Sequence, residues 1–451
     1  MQSWLIPPIP PTGNNQRIEL AGLDLWIDHH IDNVFVYPAD LDIDRLKQAL
    51  SRTLSLWPLI AGRFLLINDE HYIIEMSDNG IPLSFVENTE LTQWPLNLNV
   101  VLDPAEDRLT KFIDKVSTAK LLRGSLDEPL LRIKITRLVQ SGEWIMGTSW
   151  AHVLGDAFAY MKFLNTFSRF YQQLEPLEPS PIFERRLWNR ENADQSVLPF
   201  LTDLTDGVSP KQNFEKAMIE QTTHDQINIL FSGEQLVQLH KLAGNSILTI
   251  HDVMIAYIIL TLNTHCFENN EQIIQHINTI VNYRGVVDSI ASASHMANCA
   301  LKMVSENFED PYSLSSIAKS LRHSIIRSRD SSFLHSLLAT ADGLMRNLAR
   351  DDLEFNTDPI PHGCLNNSNY RYDWADLVDF GYMNKCRFHA EGTAPLLLRI
   401  FRLNPVFDGT HWMERDRKGA EVAFCIEKSM KQKFIEAWQR DIKENFVQVK
   451  Q

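Results

Sequence analysis

The stretch from residue 132 to residue 174 constrains the fold most, because its hydrophobic period changes in the middle. Residues 132–138 alternate apolar and polar side chains, which is typical of a half-buried strand, and 144–150 is the expected hairpin partner. The apolar positions of 158–174 then recur at helical spacing. A hairpin that leads into a helix, in a chain without strict strand–helix alternation, predicts two α/β sandwiches.

Other segments follow the same two periods. In the first half we expect a strand at 33–38, a helix capped by Asp42 and closed by Pro58, a hairpin at 60–66 and 72–76, and a helix at 110–122. In the second half we expect strands at 227–231, 277–283, 298–304, 395–402 and 421–426, helices at 250–262, 313–327 and 430–438, and a polar loop at 351–369. Residues 174–213 are rich in Pro, Glu and Asp, which predicts a long crossover between two domains.

Charge and cysteine content exclude several classes of function. The formal net charge of −14 argues against nucleic acid and anionic membranes as main partners, although a local basic mouth could still hold an anionic co-substrate. The five cysteines are dispersed without Cys-x-x-Cys spacing, so we predict neither a disulfide framework nor a metal site. The N-terminus does not resemble a signal peptide, and no stretch reaches the ~18 apolar residues of a spanning helix. A cytoplasmic protein without membrane association is therefore expected.

The clearest candidate for chemistry is His152, which stands at the expected strand-to-helix corner with Asp156 four residues later. A histidine with one ring nitrogen open in a channel can take a proton from a hydroxyl or an amine, because its unperturbed pKa is about 6.5. An isolated His-x-x-x-Asp pattern is weak evidence, since it more often marks a histidine satisfied within a core. The neighbours His29 and His30 suggest no shared metal, because adjacent strand residues point to opposite faces.

Two motifs, His152-Val-Leu-Gly-Asp156 and Asp379-Phe-Gly-Tyr382, are similar to a pair of family signatures, H-x-x-x-D and D-F-G-W-G. These are the signatures of the BAHD acyltransferases, which the chain resembles over its whole length. Further stretches agree in order and spacing, namely Pro58-Leu-Ile-Ala-Gly-Arg63, Leu248-Thr-Ile-His-Asp-Val253 and Val281-Asn-Tyr-Arg284. Overall the chain looks most like the fungal branch, such as the trichothecene acetyltransferases.

This resemblance implies a fold and a division into domains. The fold would consist of two chloramphenicol-acetyltransferase-like α/β sandwich domains with a channel between them. The first domain would comprise residues 1–190, with about 379–403 returning to it. Residues 191–213 would form the crossover linker, and residues 214–451 the second domain.

The resemblance also implies how the signature residues act. His152 would be the general base that deprotonates the acceptor, which then attacks the thioester of an acyl-coenzyme A. Asp156 would be structural and would pair with Arg284, fixing the corner that aims His152. Asp379 and Gly381 would support the architecture of the site rather than take part in the reaction.

The ligand contacts implied by the resemblance lie in the second half of the chain. Thr249 would lie near the coenzyme A, and Ser368 and Tyr370 would lie near the reacting groups. The Ser368 hydroxyl could donate to the tetrahedral oxyanion, or it could bond its own backbone as loop serines do. Acyl-coenzyme A would be a co-substrate, with no permanently bound cofactor and no metal. The acceptor would be a hydroxylated small molecule, and the family expectation is a monomer.

The chain departs from the family pattern at several positions. Ala157 and Ala297 replace glycines, Asn282 replaces an aspartate, and Tyr382 and Met383 replace the Trp and the second Gly of D-F-G-W-G. None of these changes removes the base. Ala157 and Met383 are nevertheless compatible with a reshaped channel or a weakened site.

Two alternatives remain open at the level of sequence. A stand-alone condensation-type enzyme would share the fold but use a carrier-protein thioester, and its motif has a second histidine where this chain has Ala151. A degenerate member of the family would bind a metabolite or a partner without catalysis. Transfer from a loaded carrier, or an unchanged output after loss of His152, would distinguish them.

Overall fold

The computed structural model describes residues 1–13, 16–27, 29–68, 71–122, 127–206, 208–210, 222–244, 246–268, 272–354 and 361–450. The strands in this part of the chain are β1 (Gln2–Ile6), β2 (Arg17–Glu19), β3 (His30–Tyr37), β4 (Arg63–Asn68), β5 (His71–Glu75), β6 (Ile81–Asn88), β7 (Val101–Leu102), β8 (Leu131–Leu138), β9 (Trp144–Ala151), β10 (Ser209–Pro210), β11 (His224–Phe231), β12 (His276–Asn282), β13 (Ala300–Val304), β14 (Leu353–Glu354), β15 (Gly363–Ser368), β16 (Arg387–Glu391), β17 (Leu397–Arg402) and β18 (Ala420–Glu427).

The α-helices in the same residues are α1 (Ile43–Leu56), α2 (Thr118–Leu122), α3 (Ala157–Tyr171), α4 (Thr202–Thr205), α5 (Gly233–Ala243), α6 (Ile250–His265), α7 (Leu314–Arg327), α8 (Ser331–Arg350), α9 (Trp374–Leu377) and α10 (Lys428–Lys443). Short 3-10 turns connect many of them, and two of these turns, Gly22–Asp24 and His152–Leu154, shape the site described below. None of the described helices is long and apolar enough to cross a membrane.

Two large mixed sheets organise the chain. The first has the order β1-β6-β8-β9-β3-β16-β7 and the second β11-β18-β17-β15-β12-β13, while β2-β5-β4 and β10-β14 form small sheets. β16 comes from late in the chain and pairs antiparallel to β3, whereas β17 pairs with β15 and β18. The resemblance assigns residues of about 379–403 to the first domain. In the structure, β16 of this segment lies in the first sheet and β17 lies in the second.

Each sheet has its own core, and the local sequence explains the helices that cover it. Asp42 caps α1 by accepting a hydrogen bond from the Arg45 amide at 3.0 Å, as expected. One face of α1, including Leu46 and Leu50, is buried against the first sheet together with α3. In the second core, α6 is apolar around nearly its whole circumference because it is buried on all sides.

The prediction of one continuous helix at 110–122 is wrong in the middle of the segment. The chain forms a 3-10 turn at Thr110–Phe112, runs extended at Ile113 and becomes helical only in α2. The intervening residues lie flat on the first sheet, where Asp114 accepts hydrogen bonds from Ser84 at 2.6 Å and Lys134 at 3.0 Å. These tertiary contacts outweigh the helical period of the segment.

The prediction of a polar loop at 351–369 is also wrong in part. Its end forms β15, an inner strand between β12 and β17, while residues 355–360 lie outside the described residues. The two longest helices that were not anticipated, α5 and α8, both start at recognisable caps. Ser232 and Gln235 form a capping box at α5, and Asp330 caps α8.

Candidate active site

A cavity of about 730 Å³ is lined by residues from both halves of the chain. The predicted site residues that line it are His152, Asp156, Thr249, Ser368 and Tyr370, whereas Arg284, Asp379 and Gly381 are not among the lining residues. Other lining residues were not assigned from sequence, namely Trp26, His29, Asn298, Lys302 and Arg322. The structure therefore brings together residues separated by up to about 350 positions around the His152 turn.

His152 stands on a tight turn whose shape depends on a glycine. β9 ends directly before it, the 3-10 turn His152–Leu154 follows, and Asp156 caps α3. Gly155 has a φ of +149°. A Cβ at this position would come within 2.8 Å of the Ala159 Cβ and 3.2 Å of the Ala297 carbonyl oxygen. Glycine is therefore required for the chain to turn from the strand into the helix at this point.

Asp156 forms the centre of a buried network, and the expected ion pair with Arg284 is present. Its carboxylate binds both terminal nitrogens of Arg284, at 2.7 and 3.0 Å. It also accepts hydrogen bonds from the amides of Phe158 at 3.1 Å, Ala159 at 3.2 Å and Cys299 at 2.9 Å. Burial opposes the charge on Arg284, but the ion pair outweighs it and raises the pKa of the guanidinium. The network joins α3 to the segment before β13.

One nitrogen of the His152 imidazole is open to the cavity. Nδ1 is buried and, among the described residues, has no hydrogen-bond partner outside its own residue, which leaves Nε2 as the accessible nitrogen. The ring of Trp26 lies beside the imidazole, with 5.4 Å between the centroids. Burial, and to a smaller extent the nearby His29, lower the pKa of His152 to about 4, although Asp156 opposes the shift. His152 is therefore neutral at pH 7 and able to accept a proton.

This low pKa predicts an unusual pH profile. Because a general base acts only when unprotonated, kcat/KM should stay constant with falling pH down to about pH 5 and decline with a midpoint near the pKa of about 4. The measurement is kcat/KM across this range, with circular dichroism at each pH to exclude unfolding. A decline centred near the ordinary histidine pKa of about 6.5 would contradict the prediction.

The remaining charges of the cavity wall are mainly positive, although the whole chain is acidic. The acidic lining residues are Asp156, which Arg284 neutralises, and Asp203, which lies 3.3 Å from Lys302. The basic lining side chains are Lys302, Arg322, Arg329 and Arg371. Lys302 is paired with Asp203 and Arg322 with Asp252, so Arg329 and Arg371 are the lining cations that have no ion pair to a described residue, and they favour an anionic ligand.

Thr249 lies at the N-terminus of α6, but its hydroxyl is already engaged. The hydroxyl donates to Asp252 at 2.9 Å and accepts from Arg322 at 2.8 Å. Arg322 also donates to the Asp252 carboxylate at 2.6 Å, so its charge is already paired. What this corner offers to the cavity is therefore mainly the positive end of a 16-residue helix, which favours a negatively charged group of a ligand.

Ser368 and Tyr370 line the cavity at the end of β15 and differ in what they can offer. The Ser368 oxygen accepts a long hydrogen bond, 3.4 Å, from the Tyr370 amide, and this contact leaves its own proton available to donate. The Tyr370 hydroxyl instead donates to the Lys418 carbonyl at 2.6 Å. Tyr370 therefore presents its ring, and Ser368 its hydroxyl, to the cavity.

Asp379 and Gly381 hold a loop rather than face the cavity. The Asp379 carboxylate accepts hydrogen bonds from the amides of Gly381 at 2.7 Å and Tyr382 at 2.6 Å. Gly381 has a φ of +102°, which favours glycine, and the Asp379 carbonyl accepts a hydrogen bond from Gln172 just beyond α3. These contacts tie the loop to the end of the helix that begins at the His152 turn.

Known proteins resemble this chain in sequence. A model of the Transferase family matches residues 1–346. Acetyl-CoA-benzylalcohol acetyltransferase of Clarkia breweri is 27% identical over 179 residues, which make up 37% of this chain and 37% of that protein. The ECERIFERUM 26-like protein of Arabidopsis thaliana is 28% identical over 169 residues, or 36% of this chain and 37% of that protein. The chain thus spans little more than a third of the length of these curated relatives.

Solved structures resemble the chain over nearly its whole length. Vinorine synthase has a TM-score of 0.64 at 18% identity and covers 97% of both chains. TRI101 of F. graminearum, complexed with ethyl coenzyme A, has a TM-score of 0.64 at 12% identity and covers 95% of this chain and 98% of its own. At such identities the likeness shows the fold alone. The predicted α/β fold with two chloramphenicol-acetyltransferase-like domains is confirmed.

Proposed function

We propose that this chain, which belongs to the Transferase family of BAHD acyltransferases, transfers an acetyl or another small acyl group from acyl-coenzyme A to a specialised metabolite. The acceptor group is a hydroxyl or an amine, and His152 is the general base. The observation that carries this proposal is the accessible Nε2 of a histidine that is neutral at pH 7, in a cavity whose wall carries four basic side chains.

The proposed reaction needs one base and no metal. Nε2 of His152 takes the hydroxyl proton while the acceptor oxygen bonds to the carbonyl carbon of the thioester. The tetrahedral oxyanion then collapses, the carbon–sulfur bond breaks, and the sulfur leaves with the proton from the imidazolium. The products are the ester and free coenzyme A thiol, and His152 is neutral again. The Ser368 hydroxyl is our candidate donor to the oxyanion, a position where a hydrogen bond gains strength in the transition state.

The charge distribution suggests where the donor binds. Arg322 and the N-terminus of α6 lie together at one part of the wall, and Arg329 and Arg371 add positive charge elsewhere along it. The phosphates of coenzyme A are the part of the proposed substrates that such groups would hold. The relative crystallised with ethyl coenzyme A shares this fold, which agrees with a channel ligand of that kind. A monomer in the cytoplasm, and the affinity with fungal members, remain part of the proposal.

Acceptor-dependent release of free coenzyme A thiol tests the proposed function. The purified protein would be incubated with acetyl- and other short acyl-coenzyme A donors and a panel of aromatic and polycyclic alcohols and amines. We expect thiol release that requires both substrates, with the acylated product detected by mass spectrometry. Incubation without acceptor is the control for simple hydrolysis.

Two other results would contradict the proposal in different ways. Transfer from an acylated carrier protein, but not from free acyl-coenzyme A, would support the condensation-type alternative. Ligand binding without transfer from either donor would support a non-catalytic member of the family.

A further inference from the structure

The segment after α3, predicted as part of a connection between domains, places a charged side chain beneath the His152 turn. Ile182 pairs with the chain at His295: its amide donates to the Ser294 carbonyl at 2.9 Å, and its carbonyl accepts from the Met296 amide at 2.8 Å. This short ladder fixes the direction of the residues that follow. The segment therefore delivers Arg185 at a defined position.

Arg185 forms a second buried ion pair near the site, distinct from that of Asp156. Its Nε lies 3.1 Å from Oδ2 of Asp24, and the two side chains are 1% and 2% exposed. Its terminal nitrogens donate to the carbonyls of Met296 and Leu154, each at 3.0 Å. Leu154 is the last residue of the 3-10 turn that begins at His152. A charge this deeply buried requires its partner, so the contacts define one orientation of the side chain.

Asn298 connects the same ion pair to His152 itself. Its backbone amide donates to Asp24 at 3.0 Å, and its side-chain Nδ2 donates to the His152 carbonyl at 2.8 Å and to Asp24 at 3.3 Å. Both partners of the side chain are acceptors, which fixes the orientation of the amide group. The backbone of the turn is thus held at His152 by Asn298 and at Leu154 by Arg185.

We propose that Arg185 is a positioning residue, which with Asp24 and Asn298 forms a clamp on the 152–154 turn that aims the His152 imidazole. The clamp holds backbone carbonyls within the turn, whereas the Asp156–Arg284 pair acts two residues beyond it, at the start of α3. A base misplaced by about 1 Å can lose about 100-fold in rate, so fixing the turn matters for catalysis. This inference rests on the proposed function, since it concerns His152 as the base.

The test uses variants that loosen the clamp without leaving a charge unpaired. Arg185→Lys keeps a cation for Asp24 but cannot reproduce the fork of bonds to Leu154 and Met296, and Asn298→Ala removes the bond to the His152 carbonyl. We expect kcat to fall by about 10- to 100-fold in each variant, with KM for both substrates within about twofold. In a His152→Ala background, Arg185→Lys should leave the residual rate unchanged, because the clamp acts through His152.

A matched control separates positioning from general stability. Arg346 holds the same Gly22–Asp24 turn from the other side: it pairs with Asp342 at 3.1 Å and donates to the Leu20 carbonyl at 2.8 Å. Arg346→Ala should lower the melting temperature while kcat stays within about twofold of the parental value. Hydrogen exchange of residues 152–156 should be faster in the clamp variants than in this control.

The outcomes distinguish this inference from the proposed function. Parental kcat in both clamp variants, or an equal loss of kcat in Arg346→Ala, would overturn the clamp. A further loss in the His152→Ala background would also overturn it. If His152→Ala itself has no effect on kcat, the proposed base is wrong. The clamp is then tested by hydrogen exchange alone: equal exchange rates of residues 152–156 in the clamp variants and in the control would overturn it.

Discussion

Replacing His152 by alanine is expected to lower kcat by about 10²–10⁴-fold, because a positioned general base contributes about that much to proton transfer. The accessible Nε2 is lost, and no other described side chain on the 3-10 turn can take the proton. KM for the acyl donor should change little, since the basic side chains of the wall remain. Steady-state thiol release at pH 7 measures both constants.

The fold should tolerate this change. The buried Nδ1 of the imidazole has no hydrogen-bond partner among the described residues, so the melting temperature should stay close to that of the parental protein. His411→Ala is the matched control, because His411 is an exposed histidine that does not line the cavity. An unchanged kcat in His152→Ala would remove His152 from the mechanism.

Replacing Asp156 by alanine should instead act on stability, lowering the free energy of unfolding by about 3–5 kcal/mol. The substitution leaves Arg284 as an unpaired charge whose side chain is only 3% exposed, and breaking one partner of a buried pair costs about this much. It also removes the cap of α3, worth about 1 kcal/mol. Denaturant unfolding followed by circular dichroism measures the effect, using the first transition if the domains unfold separately.

A second capping aspartate distinguishes the stability contribution of the helix cap from that of the ion pair. Asp330 caps α8 through a 2.8 Å hydrogen bond from the Phe333 amide, and it is exposed and has no ion pair with a described residue. Asp330→Ala should therefore cost only about 1 kcal/mol. If both alanine variants lose the same stability, the Asp156–Arg284 pair contributes no more than a helix cap does.

The part of the site that the sequence predicted is local. The change from an alternating strand to a helical period placed His152 at a corner, and the structure has β9, a turn and α3 in that order. The likeness to the family supplied Arg284 as the partner of Asp156, which no spacing could have given. Thr249 and Ser368 line the cavity because Thr249 stands at the start of α6 and Ser368 at the end of β15, and both elements are packed between fixed neighbours.

The part that could not be predicted depends on distant contacts. Asp24, Arg185 and Asn298 lie in three separate segments, and nothing in their local patterns indicates that they meet. β15 lacks the signature of a strand because its side chains include a fully buried asparagine, Asn366. An inner strand between two partners gains its stability from pairing, which single-sequence patterns do not report.

The position of β16 has a consequence for the order in which the protein can be made. It lies between β3 and β7 in the first sheet, so β3 lacks one of its neighbours until Glu391 has been synthesised. That happens about 240 residues after Ala151 completes β9, or ~10–50 s later at ~5–20 residues per second. During this interval a nascent chain carries an open sheet edge, which is prone to pair with other chains. The first sheet therefore cannot be completed before residues 214–391, about three quarters of the predicted second domain, have been synthesised.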